Sequence, residues 1–281
     1  MWEYSKGNII ELAKHRKEHE TVFFKSNFNF LQSHRGYRPG KMHVLLGTSG
    51  GGKSTLIRSL VLDAILNDES DRKVLVWLSE ETSKDFMTLF IDQLYFYAKE
   101  KQEKILKKII VQSELDASKH FVKQSMADWY SFFQSEANKI EISMIFFDNI
   151  TTSVFYAEKK PEEQKEYLIK LKNFISNIKK PILIVAHTKS DINDGITRRI
   201  NKEDIRGSKF LTMIAEFFYV LQTFKRENSW WPSITIEKSR SIRVKDVLYF
   251  IGFDTQKNAY VSDRSVEFSE FKEYYNNRDK L

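Results

Sequence analysis

Residues 42–60 read MHVLLGTSGGGKSTLIRSL, and the fold follows from how these residue types succeed one another. An apolar run, Met42 to Leu46, enters a glycine-rich turn. The turn leaves into a stretch where Leu56, Leu60 and Ala64 recur at helical spacing, which predicts a helix over 53–67. Gly47-Thr48-Ser49-Gly50-Gly51-Gly52-Lys53-Ser54 fits G-x-x-x-x-G-K-[ST], placed directly after a strand and directly before a helix. Glycine there lets backbone N–H groups converge on a phosphate without side-chain clash. The N-terminus of the following helix adds its positive dipole end. Gly47 through Thr55 are therefore the expected cradle for a nucleotide triphosphate. Lys53 is expected on the β- and γ-phosphates, and the Ser54 hydroxyl on Mg²⁺. ATP and magnesium are the ligands this loop implies.

Working outward, short apolar runs alternate with helical periodicity. KVLVWLS (73–79), ISMIFFD (142–148) and PILIVAH (181–187) read as strands. A long helical region is expected after the first of them, through about residue 112. Leu168, Leu171, Ile175 and Ile178 stripe a further helix. Continuous apolar strands separated by helices predict an α/β fold, a mainly parallel sheet covered by helices on both faces. FFYVLQTF, SITIEKS and VLYFIGFD then read as closing strands. Residues 1–24 carry a short Ile9, Leu12, Ala13 stripe among charges and read as an N-terminal helical arm. Residues 25–262 read as one ATPase domain and 263–281 as a polar tail.

The chain has 281 residues, 41% hydrophobic and 30% charged, which suits a globular core rather than disorder. No apolar stretch approaches the ~18 residues of a membrane span, and the N-terminal residues lack the apolar core of a signal peptide. The absence of cysteine excludes disulfides and thiolate metal sites and suits a cytoplasmic location. A formal net charge of +7 makes a polyanion a plausible partner.

Asp148 ends an apolar strand, where a carboxylate meets magnesium through water in such folds. Many phosphate-loop ATPases place a glutamate directly after that aspartate, but here Asn149 follows, and an amide cannot take a proton. The carboxylates sit instead after the second strand, as Glu80 and Glu81. A residue at the carboxyl end of a neighbouring parallel strand faces the same crevice as the phosphate loop. Glu80 is thus the candidate for polarising the attacking water, and Glu81 is expected to charge or cap the following helix.

Together PGKMHVLLGTSGGGKST (39–55), a glutamate after the second strand, a bare Asp148 and a polar residue ending the fourth strand resemble the RecA-like core of the DnaB-type hexameric helicases. The likeness is strongest to the RepA-type plasmid replicative helicases and spans roughly residues 25–255. The resemblance implies a RecA-like P-loop core in which Glu80 is the catalytic glutamate. His187, in IVAHTK, would be the polar residue that senses the γ-phosphate. DIRGSKFL (204–211) resembles the segment after the second DNA-binding loop. Lys238 and Arg240, in ITIEKSR (234–240), match a pair that reaches the neighbouring subunit's nucleotide. The glycines that often follow that pair are missing, so Arg243 stays open as the alternative. Two cations two apart on a strand also suit a solvent-facing edge.

A long polar segment, residues 187–208, follows the fourth strand. Its Lys189, Arg198, Arg199 and Lys202 are candidates for tracking a nucleic-acid backbone, although the acids among them leave the segment near neutral. After Asp148, Phe155 and Tyr156 suit either base stacking or core packing. The functions these readings leave in play are three. One is a homo-hexameric, ATP-driven DNA helicase or translocase on single-stranded DNA in plasmid or phage replication, with loader or primase functions supplied by another protein. A second is a RecA-like recombination or annealing ATPase forming filaments on single strands. The third is a nucleotide-switched ATPase without motor activity that regulates a protein partner.

Overall fold

The computed structural model describes residues 25–118, 126–157, 159–189, 199–226, 229–240 and 247–267. The arm read over residues 1–24, Arg198, Arg243 and most of the expected tail lie outside the described residues. Along the chain come α1 (Asn29–Gln32), β1 (Met42–Gly47), α2 (Lys53–Asn67), β2 (Lys73–Leu78), α3 (Ser83–Leu94) and α4 (Lys99–Lys107). β3 (Ile109–Ser113), α5 (Glu114–Ser118), α6 (Met126–Asn138), β4 (Ile142–Asp148), α7 (Pro161–Ile178) and β5 (Ile182–His187) follow. A short 3₁₀ turn (Lys202–Asp204) and α8 (Phe210–Ile214) then lead into β6 (Phe217–Arg226), β7 (Ser229–Ser239), β8 (Val247–Asp254) and β9 (Ala259–Glu267).

The nine strands among the described residues form one sheet in the order β3-β2-β4-β5-β1-β6-β7-β8-β9. The pairings from β3 to β6 are parallel, and β6 to β9 form an antiparallel meander. Every residue of β1 and β4 is buried, as expected of central parallel strands covered on both sides. Alternation along β2 shows the two layers. Val74, Val76 and Leu78 pack with Leu56, Leu60, Phe86 and Phe90 of α2 and α3. Leu75 and Trp77 face the other way, into the core built with Phe133 of α6 and Leu168, Leu171 and Ile175 of α7. Among the described residues no helix is long and apolar enough to cross a membrane.

Three parts of the sequence reading need correction. The helical region expected through residue 112 breaks after α3. Ile109, Ile110 and Val111 leave it as an edge strand, paired from Val74↔Ile109 to Leu78↔Ser113, because β-branched residues favour the pleated conformation. Helix α6, which covers Trp77, was not anticipated. The sheet does not stop at residue 262, since β9 pairs with β8 as far as Val247↔Glu267. This last strand is polar and charged, AYVSDRSVE, so its pairing is invisible to a search for apolar runs.

The sheet is tied to residues 26–41 by a buried polar chain. Tyr219 Oη lies 2.8 Å from His43 Nδ1 and 2.6 Å from His34 Nε2, and all three side chains are fully buried. The Arg38 backbone N–H donates to His43 Nε2 at 3.4 Å, which makes that nitrogen an acceptor. His43 Nδ1–H therefore donates to Tyr219, and Tyr219 O–H donates on to His34. A proton on His43 Nε2 would face the Arg38 N–H, and one on His34 Nε2 would take away the acceptor of the Tyr219 O–H. Burial pushes the His34 imidazole down to about 4 and holds His43 well below the usual histidine range. Because the unfolded chain protonates near 6.5 and the folded one does not, this stability is whole above that value and is lost as pH falls toward 4. His34 alone should cost about 2 kcal/mol between pH 7 and pH 5. Urea unfolding of the parent and of His34→Phe at the two pH values isolates this share, and a pH dependence unchanged in His34→Phe would refute it.

Candidate active site

The phosphate loop joins β1 to α2 as its spacing requires. Gly52 is the N-cap of α2 at φ +84°, a left-handed conformation that suits glycine. A Cβ there would also meet the Tyr260 hydroxyl of β9 at 2.5 Å, so the last strand presses directly on the loop. Thr48 carbonyl accepts from Gly51 N–H at 3.1 Å and from Lys53 Nζ at 2.6 Å. Lys53, Ser54 and Thr55 occupy the first turn of α2, whose N–H groups have no intrahelical acceptor. Gly47, Ser49 and Gly50 complete the curve, with Gly50 also at positive φ.

Lys53 is buried, and burial pushes its ammonium down to about 8, against the pull of Asp148 and Glu80. Asp148 is buried at the end of β4, with the Ser54 hydroxyl close enough to favour its charged form. Burial raises its carboxyl above the ordinary range, opposed by Ser54 and by the Lys53 charge. The pairing of a strand-end carboxylate with the Ser54 hydroxyl fits a magnesium site. Both are hard oxygen donors of the kind Mg²⁺ takes, alongside phosphate oxygens and water. Beyond this pair, no cluster of three or more metal-ligating side chains occurs among the described residues.

Across the crevice, Gly47 pairs in register with His187 at the end of β5. His187 Nε2 lies 3.2 Å from Asn149 Nδ2 and 3.6 Å from a Glu80 carboxylate oxygen. Asn149, which follows Asp148 through a cis peptide bond, is fully buried. Its Oδ1 accepts from Thr151 Oγ1, Thr152 N–H and Thr152 Oγ1 at 2.7–3.1 Å. That fixes the amide so that its NH₂ faces the imidazole, and His187 Nε2 must be the acceptor. Burial, then the Lys53 charge, lower the His187 pKa, with Glu80 pulling it up. The ring thus sits between a donor it can hold when neutral and a carboxylate it can hold when protonated. Asn149 was noticed in the sequence only for what it is not; its place beside His187 emerges from the fold.

Glu81 neither caps nor charges a helix end. Thr82 caps α3 by accepting from Asp85 N–H at 3.1 Å. Glu81 turns inward to Arg58 of α2, whose Nη1 is 3.3 Å from each carboxylate oxygen. Arg58 is one helical turn after Ser54 on the same face, a spacing that could have flagged it.

Lys238 and Arg240 stand apart from this site. Phe218 pairs with Lys238 on one side and Val44 on the other, so Lys238 lies level with Val44, about 10 Å short of Gly47 along the strand. Lys238 Nζ donates to the Thr212 and Met213 carbonyls at 2.6 and 2.9 Å. Arg240 also donates to the Met213 carbonyl. Burial, then the Arg240 charge, push the Lys238 ammonium down to about 8.

Of the polymer candidates, Lys189 is exposed and Lys202 sits half-buried on the 3₁₀ turn. Arg199 is engaged by Glu237 of β7 at 2.6 Å. Base stacking by Phe155 and Tyr156 is excluded here, since both are buried at 1% exposure. The Tyr156 hydroxyl accepts from Ser208 N–H at 2.6 Å. Its ring packs where a Cβ on Gly207 would sit, 2.7 Å away.

A phosphate loop between β1 and α2, a parallel sheet with helices on both faces and a carboxylate ending the strand two places away define a RecA-like P-loop core. Among solved structures the chain is similar to the KaiC-like protein of the hyperthermophilic archaeon Pyrococcus horikoshii OT3, at 17% identity and TM-score 0.64. The similarity covers 85% of this chain and 98% of that one. No protein-family model matches the sequence, and no curated protein does.

Proposed function

We propose that the protein is an ATP-hydrolysing RecA-like motor core that acts as a homo-oligomer, a hexameric helicase or translocase on single-stranded DNA of the DnaB/RepA type. The observation that carries the hydrolytic reading is the placement of Glu80. Its side chain is 43% exposed, 3.6 Å from His187 and within the field of Lys53 and Asp148. A carboxylate so placed can orient and polarise a water in line with a γ-phosphate held by the loop. Lys53 neutralises phosphate charge, and Ser54 with Asp148 would hold magnesium, which screens the triphosphate when bound. His187 passes between Asn149 and Glu80 as the charge before it changes.

The oligomeric reading is supported by Lys238 and Arg240, which sit too far from their own phosphate loop to serve it. The decisive experiment measures ATP turnover with and without single-stranded DNA, and unwinding of a forked duplex. A several-fold DNA stimulation with unwinding, both lost in Lys53→Ala, is expected. A second reading, a nucleotide-switched module with a protein partner, is favoured by the burial of Phe155 and Tyr156 and the engagement of Arg199 by Glu237. It predicts turnover indifferent to DNA.

A further inference from the structure

The turn from β2 into α3 is pinned at each residue except one. Ser79 N–H donates to the Asp148 carbonyl at 2.8 Å. Its hydroxyl donates to the Asn149 carbonyl at 2.7 Å and accepts from Asn149 N–H at 3.0 Å. The Glu81 carbonyl accepts from Ser113 Oγ at 2.8 Å, and its carboxylate is paired with Arg58. Thr82 caps α3, and Ser83 N–H donates to Asp116 at 2.8 Å. Glu80 alone has no side-chain hydrogen bond, and it projects into the crevice. The turn therefore works as a mount that leaves one side chain, Glu80, to reach across the crevice toward His187.

We infer that Arg58 and Glu81 form one positioning pair that aims Glu80 at the attacking water by fastening the β2–α3 turn to the helix carrying Ser54. Arg58 is itself fixed, 5% exposed and stacked 5.6 Å from the Phe86 ring centroid. The pair thus joins α2, α3 and the turn at one point. A shift in α2 when the loop engages phosphate is transmitted to the residue beside Glu80 through a charge-assisted contact rather than through the solvent-exposed carboxylate itself. The inference rests on the catalytic reading of Glu80.

Burial raises the Glu81 carboxyl to about 7, opposed by Arg58 and reinforced by Asp148 and Asp85. The groups facing it are Arg58 from α2, Asp148 from β4 and Asp85 from α3. Above neutrality Glu81 is ionised and the pair is complete; as pH falls through 7 it gains a proton and the grip slackens.

The experiment is steady-state MgATP turnover by the full chain. Glu81→Gln and Arg58→Met should each lower kcat about 10- to 100-fold with KM for ATP within twofold, as expected of a misaimed group. The double variant should be no slower than the worse single, and Glu81→Gln should add nothing in a Glu80→Gln background. The parent should lose kcat between pH 7.5 and 6, and Glu81→Gln should lack that limb. If Arg58→Met alone fails to fold, the Arg58→Met/Glu81→Met pair, which removes both charges together, supplies the measurement. Additive losses, a change confined to KM, or an unaltered pH limb in Glu81→Gln would overturn the pair's role. Should Glu80→Gln turn over like the parent, the catalytic reading falls and the pair's aim falls with it. A slow Glu80→Gln beside a fast Glu81→Gln overturns the pair alone.

Discussion

Arg240→Ala is expected to lower ATP turnover by about 10³–10⁵-fold while leaving nucleotide binding to the isolated chain nearly unchanged. Within one chain Arg240 is held at the Met213 carbonyl, at the end of the sheet away from the phosphate loop. An effect of that size can arise only if the guanidinium meets a nucleotide on another copy, where it stabilises charge on the transferring phosphoryl group. Lys238 shares the anchor at α8 and should cost less, because a point charge makes no bidentate contact. Head-to-tail contact of this kind closes a ring or propagates a filament. Mixing settles the matter. Arg240→Ala chains keep Lys53 and Lys53→Ala chains keep Arg240, so a mixture of two inactive proteins should regain turnover at their shared interfaces. Wild-type turnover by Arg240→Ala, or a mixture as silent as its parts, would remove the shared-site proposal and leave Arg243 to be tried.

Glu80→Gln should lower kcat by about 10²–10⁴-fold, with ATP affinity retained or improved. The substitution keeps the side-chain shape while removing the carboxylate of the β2–α3 turn that faces the crevice. It also removes the acidic partner of His187. The histidine is then left to Asn149 and should titrate lower still, since Glu80 is what raises it against burial and Lys53. The His187 ring signals followed by NMR across pH 5–8 check this independently of turnover. A His187 pKa unmoved by Glu80→Gln would mean that the two side chains do not communicate.

Much of the candidate site's layout was legible because it is local. The phosphate loop is one contiguous stretch whose glycines have no substitute, and β1, β4 and β5 are buried on both faces and so read as apolar runs. Glu80 could be placed opposite the loop because parallel strands deliver their carboxyl ends to one edge. What failed to show was pairing decided elsewhere. Glu81 looked like a helix-end charge until α2 brought Arg58 beside it. Ile109–Val111 were hidden in a lysine-rich helical pattern, and β9 was hidden by its own polarity. Phe155 and Tyr156 carried no sign of which way they would face, because an aromatic after a strand suits a core as well as a base.

Tyr260 donates its backbone N–H to Ser59 Oγ at 2.9 Å, across a separation of 201 residues, and its hydroxyl abuts Gly52. β1, meanwhile, is flanked by β5 and β6, both made long after it. On the ribosome, then, the glycine-rich loop is made well before the strands that wall it in. Such distant closure slows folding and leaves β1 without neighbours while most of the chain is still emerging. Until the β8–β9 hairpin has been made, the loop lacks the wall that Tyr260 gives it at Gly52.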